Sequence, residues 1–367
     1  MTEPILWLMS IEALGILMFP LVFRVFSMLP DRGWFFAKPI TLAIVSYGFW
    51  YLGLSKIVDN SVWSVFGVIF VIGIGSAVLG YRDWRAIAKF FTLEWRVIAV
   101  GEILFVAVFA IWVTIRASIP EISHTEQPMD WMFLNSIVAS LTFPPVDSWL
   151  SGESVSYYYF GYLIMGSLTI LTNIETSIAY NLSLATIAAS AAVGAFGITF
   201  TLVRLNGGAR ISASFAGLAS AVFLVGASNL AGSLFLLQAI GIGSSWFWSW
   251  VGLPEVAPGG GNGPSWVPTA GWWWWQVSRI IPGGIVEFPT FSLILGDLHP
   301  HLMAIPYVLV TLGTAVQVAI YPGLFEIRNL KTNWPTFFFA SWILGILGTI
   351  NTWDFPLGAC LLIGAIS

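Results

Sequence analysis

The sequence predicts an all-α fold, a polytopic membrane helix bundle of about nine spans, on three observations. Charged residues make up only 9% of the 367 and hydrophobic residues 57%, with 20 Trp and 28 Phe, against roughly 25% charged in ordinary soluble domains. Several apolar stretches reach the roughly 20 residues a helix needs to cross hydrocarbon while satisfying its own backbone groups. The period-2 alternation of a transmembrane barrel is missing.

The chain begins Met-Thr-Glu-Pro before its first apolar run, without a basic leader or a small-residue cleavage site, so this run reads as a retained span. Apolar runs at 5 to 27, 34 to 55, 62 to 81 and 97 to 117 give four spans. The link from 82 to 96 carries Arg82, Arg85, Lys89 and Arg96 against Asp83 and Glu94, and the positive-inside bias places it in the cytoplasm. The first link, with Arg24, Arg32 and Lys38, then also falls inside, and the amino terminus outside.

The segment from 118 to 156 is an external, acidic, proline-punctuated loop with Glu121, Glu126, Asp130, Asp147 and Glu153. The run 157 to 172 is short for a span. Treated as an interfacial or re-entrant helix, it lets 178 to 203 cross inward and puts Arg204 and Arg210 in the cytoplasm; a two-span hairpin would put them outside. The run 212 to 238 returns outward, and 239 to 300 forms a second external region with Trp246, Trp248, Trp250, Trp266 and Trp272 to Trp275 around the turn-rich APGGGNGPSWVP. The run 302 to 321 goes inward, Glu326, Arg328 and Lys331 lie inside, and 334 to 350 comes out to Asn351-Thr352-Trp353-Asp354. The last run, 355 to 367, is too short to cross, so the chain is expected to stop inside its ninth span. This organisation divides into residues 1–96, three spans and a basic cytoplasmic linker, and 97–367, a module with external loops at about 118–177 and 239–301. The protein is expected to be a multi-pass protein of the cell (plasma) membrane.

The single cysteine, Cys360, excludes an intrachain disulfide and a thiolate metal cluster. A net charge of −4 without a basic stripe excludes nucleic acid as a partner. Topology supplies the main functional inference. Asp130, Asp297, His299, His301 and Asp354 come from three separate connections yet fall near one membrane face, and a shared polar cavity opening outward is the economical explanation. For Asp130 and Asp354 the competing role is a helix cap. Gly296-Asp297-Leu298-His299-Pro300-His301 holds one carboxylate and two imidazoles, a donor set compatible with a divalent metal on Asp297, His299 and His301. Hydrogen bonding to substrate phosphate or to the loop backbone is the alternative. Arg279 is suited to a lipid or sugar phosphate, or to headgroup anchoring. The tryptophans and the run Tyr157-Tyr158-Tyr159 suit an interfacial belt, and the tryptophan cluster also suits stacking on sugar rings or covering a prenyl chain. Asn181-Leu182-Ser183 matches a glycosylation sequon but lies in an apolar helix and is discounted. No P-loop, G-x-S-x-G or strand-associated GxGxxG is present to support cytosolic nucleotide chemistry.

Five segments carry a resemblance: MLPDRGWFFAKP, PMDWMFLNSIVASLTFPPVDSWLSGESVSYYYFGYL, AYNLSLATIAASAAVGAFG, EFPTFSLILGDLHPHLMAIP and GTINTWDFP, in order from about residue 28 to 356. They resemble the bacterial and archaeal membrane family named for its YYY motif, a domain of unknown function known mainly from Chloroflexi and Archaea. That family is grouped with the GT-C glycosyltransferases, which take sugar from a polyprenyl-phosphate donor at the outer membrane face. The resemblance implies a GT-C-like module with membrane-parallel helices in the first long external loop. It implies Asp130 as the catalytic carboxylate, with Glu126 or Glu121 as the second acid, since an Asp-x-Asp or Glu-x-Asp pair is missing from that loop. Asp297 with its histidines would line the donor side, and Arg279, Asp354 and Tyr158 join the donor-binding set. The expected activity is a membrane glycosyltransferase, with membrane lipids and a polyprenyl-linked sugar donor as partners and a divalent ion as candidate cofactor. Two other readings stay open. A lipid-linked-substrate transporter requires ionisable groups deep in the spans, of which the sequence offers chiefly Glu12 and Glu102. A non-catalytic subunit of a membrane complex requires a large apolar contact with other subunits.

Overall fold

A computed structural model describes residues 2–252, 275 and 277–366. Among these the chain is helical, with one isolated β-bridge between Val146 and Ser154. Six helices are long and apolar enough to cross a membrane. They are α1 (Thr2–Val25), α2 (Ala37–Leu54, prefaced by the 3-10 turn Trp34–Phe36), α3 (Val62–Ser118), α6 (Thr176–Leu205), α7 (Arg210–Val222, extended by a π turn) and α11 (Pro300–Ile320). Shorter helices are α4 (Gln127–Ala139), α5 (Phe160–Thr172), α8 (Leu230–Ala239), α9 (Ser245–Val251) and α10 (Pro289–Leu295). The chain closes with α12 (Leu330–Ile350) and α13 (Asp354–Ile366).

The link at 82 to 96, read as a charged connection between two spans, is helical throughout, inside the 57-residue α3. A straight helix of that length would extend about 85 Å. The packing shows instead that α3 doubles back along α1. Ser76 Oγ donates to Leu17 O, and Arg24 pairs with Asp83. Beyond the turn the order reverses: the Phe90 ring meets Phe23 and Phe19, Glu12 and Glu102 flank the same Lys38, and Pro4 shares a groove with Val113 and Arg116. The two arms of α3 therefore act as separate antiparallel spans. With α12 and α13 they bring the described helical arms to the nine expected.

Small residues allow the close approach that membrane helix packing depends on, because apolar burial gives little drive within lipid. On α6 the run Ala188 to Val193 is buried throughout, and this helix packs against α3, α7 and α11. A Cβ on Gly217 of α7 would stand 2.7 Å from the Phe196 ring of α6. Trp7 on α1 donates from Nε1 to Thr186 Oγ1 at 2.8 Å, a buried polar tie between α1 and α6.

Two further expectations change. Lys38, assigned to a cytoplasmic link, is buried in the first turn of α2, 2.7 Å from Glu102 and 3.1 Å from Glu12, while Trp34 Nε1 donates to Glu102. The two carboxylates expected to mark a transport path are therefore the counter-ions of one lysine. The apolar run 212 to 238 is not one helix: it passes into a π turn at Phe223–Ala227, breaks at Ser228 with φ 40°, and restarts as α8 under an Asn229 cap. The break has a structural use. Ser228 Oγ accepts from Thr290 N, and Thr290 Oγ1 donates to Gly226 O, fastening the start of α10.

The short run expected at 157 to 172 forms α5, whose 13 residues are too few to span about 30 Å of hydrocarbon. None of its residues is exposed. Eleven of its residues are buried, packed mainly against α2 and α4.

Candidate functional site

The connections sort into two ends of the bundle. At one, Arg24 meets Asp83, Arg210 meets Glu94, and Gln317 Nε2 donates to Val25 O. At the other, Asn60 Nδ2 donates to Ile137 O and Ser140 O, Asn181 Nδ2 to Pro120 O, and Gln127 Nε2 to Leu295 O. The second end brings most of the candidate residues together.

Asp130 lies one turn into α4, fully buried, and caps nothing: the N-cap position is Glu126 and no side chain there accepts from the helix. The Asp130 carboxylate accepts a hydrogen bond from the Tyr162 hydroxyl of α5 and feels the charge of Asp297. His299 Nδ1 sits 2.8 Å from Glu126 Oε2 and 3.9 Å from Asp130 Oδ1. Burial first, and then the facing carboxylate of Asp297, hold Asp130 well above the ordinary carboxylate range; burial raises Asp297 as well. Two carboxyl groups facing each other away from water resist ionising together. Glu126 is the member that reaches solvent, with a side chain 57% exposed.

The Gly296–His299 turn is held from three sides. Tyr180 on α6 donates through its hydroxyl to Gly296 O and accepts from Leu298 N, both at 3.1 Å. Gln127 Nε2 donates to Leu295 O and Gly296 O, while its Oε1 accepts from the Ser123 and His124 amides. The Arg116 guanidinium lies against Gly296, which adopts φ +79° and has no room for a Cβ. Sequence reasoning missed Gln127, Tyr162, Tyr180 and Arg116. Each is a polar residue adjoining or inside an apolar run, and that cost of burial was the available signal.

Glu126, Asp297 and His299 each present a ligand atom within 4.8 Å of the others, a geometry able to hold a metal ion. This differs from the expected trio, because His301 points elsewhere, with Nε2 3.1 Å from Ser292 Oγ and 3.4 Å from Glu287. Arg279 stacks on Trp275 at 4.0 Å, donates to Ser278 Oγ, and acts on Glu287 through its charge. Tyr157 stacks between Phe133 and Tyr158, with centroids 5.1 and 4.1 Å away, and feels the charges of Asp130 and Glu126. Tyr158 thus stands one ring from the carboxylates. Asp354 does not join them: at the start of α13 its described hydrogen bond is local, from Asn351 Nδ2 at 2.8 Å. Trp266, Trp272 to Trp274 and the APGGGNGPSWVP loop lie outside the described residues.

Comparison with known proteins bears on this architecture at the level of a family. The family model described as uncharacterized membrane protein (DUF2298) matches residues 44–367, and the chain belongs to that family. No curated protein and no solved structure matches it.

Proposed function

We propose that this membrane protein is a glycosyltransferase that moves a sugar from a polyprenyl-phosphate donor to an acceptor hydroxyl at the outer face of the plasma membrane, with its amino terminus outside. The observation that carries the reading is the convergence of Asp130, Asp297, Glu126 and His299, from two distant connections, at one end of a membrane helix bundle. The resemblance to the YYY-motif family and the GT-C enzymes supports it, and α4 and α5, too short to cross, correspond to the loop helices that resemblance implies.

In this reading the acceptor oxygen bonds to the anomeric carbon as the bond from that carbon to the donor phosphate oxygen breaks. The acceptor's proton passes to Asp130, and the polyprenyl phosphate departs with the bonding electrons. Burial raises the proton affinity of Asp130, so it serves as the base only once it is ionised; its Oδ2 has no hydrogen-bond partner. Asp297, whose Oδ1 is likewise buried without a partner, would hold a divalent ion together with Glu126 and His299, which suit such an ion as oxygen and imidazole donors. When bound, that ion would neutralise charge on the leaving phosphate. Tyr158 and Arg279 border the donor side.

The test is transfer from a panel of polyprenyl-phosphate sugars by the protein in liposomes. Asp130→Asn should lower transfer by roughly 10²- to 10⁴-fold, the usual contribution of a positioned base, while thermal unfolding stays unchanged. Full activity in Asp130→Asn would remove the base assignment, and failure of every donor with the intact protein would remove the glycosyltransferase reading.

A further inference from the structure

The segment between α4 and α5 carries large apolar side chains where a loop in water would carry polar ones. Leu141 is 81%, Trp149 85% and Leu150 62% exposed. Single exposed apolar residues are ordinary, but three of this size on one ordered loop mark a surface that meets something. The loop is ordered by its own bonds. Asp147 N donates to Glu153 O and Val155 N to Pro145 O, while the Asp147 carboxylate accepts from the amides of Trp149 and Leu150 at 2.8 and 3.0 Å. Ser148 Oγ and Ser136 Oγ share a hydrogen bond at 2.6 Å and Val146 N donates to Ser140 Oγ, which fastens this hairpin to the end of α4. Its depth follows from its neighbours. The Phe143 ring is buried against Phe49 and Gly53, in the last two turns of the spanning helix α2. Asn60, in the short link from α2 to α3, donates from its backbone to Leu141 O. The hairpin therefore leaves the bundle at the level where two spans end, and an exposed surface at that level faces the headgroup region of the membrane.

We propose that the hairpin from 141 to 154 dips into the adjacent leaflet and seats Trp149 and Leu150 at the boundary between headgroups and acyl chains. Two observations select lipid over a protein partner. One is the depth set by Phe143 and Asn60. The other is continuity with the first arm of α3, where Trp63, Phe66 and Phe70 recur at helical spacing on an exposed apolar face that begins three residues after Asn60. The amides of Asp147, Trp149, Leu150 and Glu153 are satisfied within the hairpin, which lowers the cost of leaving water. Glu153, exposed on the returning arm, keeps the insertion shallow. The chain runs on from the hairpin into Tyr157 and Tyr158, so the contact moors to the membrane the segment that borders the carboxylates. The inference stands on packing alone and requires no particular donor or reaction.

The test attaches an environment-sensitive fluorophore to one position at a time on the full chain, in liposomes of phosphatidylcholine and phosphatidylglycerol and in a Cys360→Ser background that removes the exposed thiol. A label on Leu150→Cys should be quenched by lipids bearing a nitroxide near the headgroup and protected from aqueous iodide. A label on Glu153→Cys, three residues along the same exposed hairpin, should show the reverse. Adding Trp149→Ser should lower the ratio of lipid to iodide quenching at position 150 roughly tenfold, the share of one large side chain withdrawn from water. Equal iodide quenching at positions 150 and 153 would overturn the proposal. Protection of position 150 without nitroxide quenching would also overturn it, since another protein would then cover the tip. Protection that weakens as the ratio of protein to lipid falls would assign the tip to a second copy of the chain and overturn it as well.

Discussion

At the end of the bundle where residues 24, 83, 94 and 210 meet, charge is handled by pairs open to water: the Arg24 and Arg210 side chains are 43% and 52% exposed beside Asp83 and Glu94. At the opposite end Asp130 and Asp297 are buried against each other, with hydroxyl and imidazole neighbours in place of a guanidinium counter-ion. Exposed pairs contribute little stability and tolerate loss. Buried like charges raise free energy, and such an arrangement is retained where it performs work on a ligand or a proton. In the proposed reading, chemistry belongs to the Asp130 end and anchoring to the other.

Substitutions that separate these roles should rank in order. The largest loss is expected for Gly296→Val, which forces a β-branched residue into φ +79° and against Arg116. About 2–3 kcal/mol of destabilisation should follow, read as a lowered unfolding temperature in detergent. Unchanged unfolding would show that the Asp297 turn is loosely held. Tyr180→Phe comes next, because it strips the hydroxyl shared by Gly296 O and Leu298 N. About 1–2 kcal/mol is expected, with faster amide exchange at Leu298; if exchange there does not change, Tyr180 is not a clamp.

A pH-dependent effect is expected away from the site, at Asp31 between α1 and α2. Burial pushes this carboxyl up to about 6, and Thr201 Oγ1 faces it at 3.5 Å. The unfolded value is near 3.9, so its stabilising contribution is full below that pH and is lost as pH rises through about 6. Asp31→Asn should therefore gain stability over the natural sequence at pH 8 and show less difference at pH 4. An equal shift at both pH values would contradict this. The smallest effect belongs to Arg24→Gln, under about 1 kcal/mol, with transfer unaltered. A large loss there would erase the contrast between the two ends.

Much of this was legible in the sequence because hydropathy is a local property. The nine arms, the basic links and the polar segments around Asp130 and Asp297 each show within a window of about 20 residues. Three features were not. The reversal inside α3 was read from the charged link, but the unbroken helix that carries it leaves no mark in composition. The interruption at Ser228 follows no proline and depends on bonds to Thr290, 62 residues away. Asp354 shares a motif-like setting with the site residues, yet its contact is to Asn351 in the same turn.

Sequence alone determined that this is a helical membrane protein and which connections carry its polar groups, since lipid imposes those demands segment by segment. Only the tertiary structure decided that Asp130 would meet Asp297 and Tyr162, that Lys38 would pair with both Glu12 and Glu102, and that Arg116 would be buried against Gly296. These pairings join residues distant in the chain, and the packing of helices, rather than the pattern along any one of them, sets which polar groups are buried together.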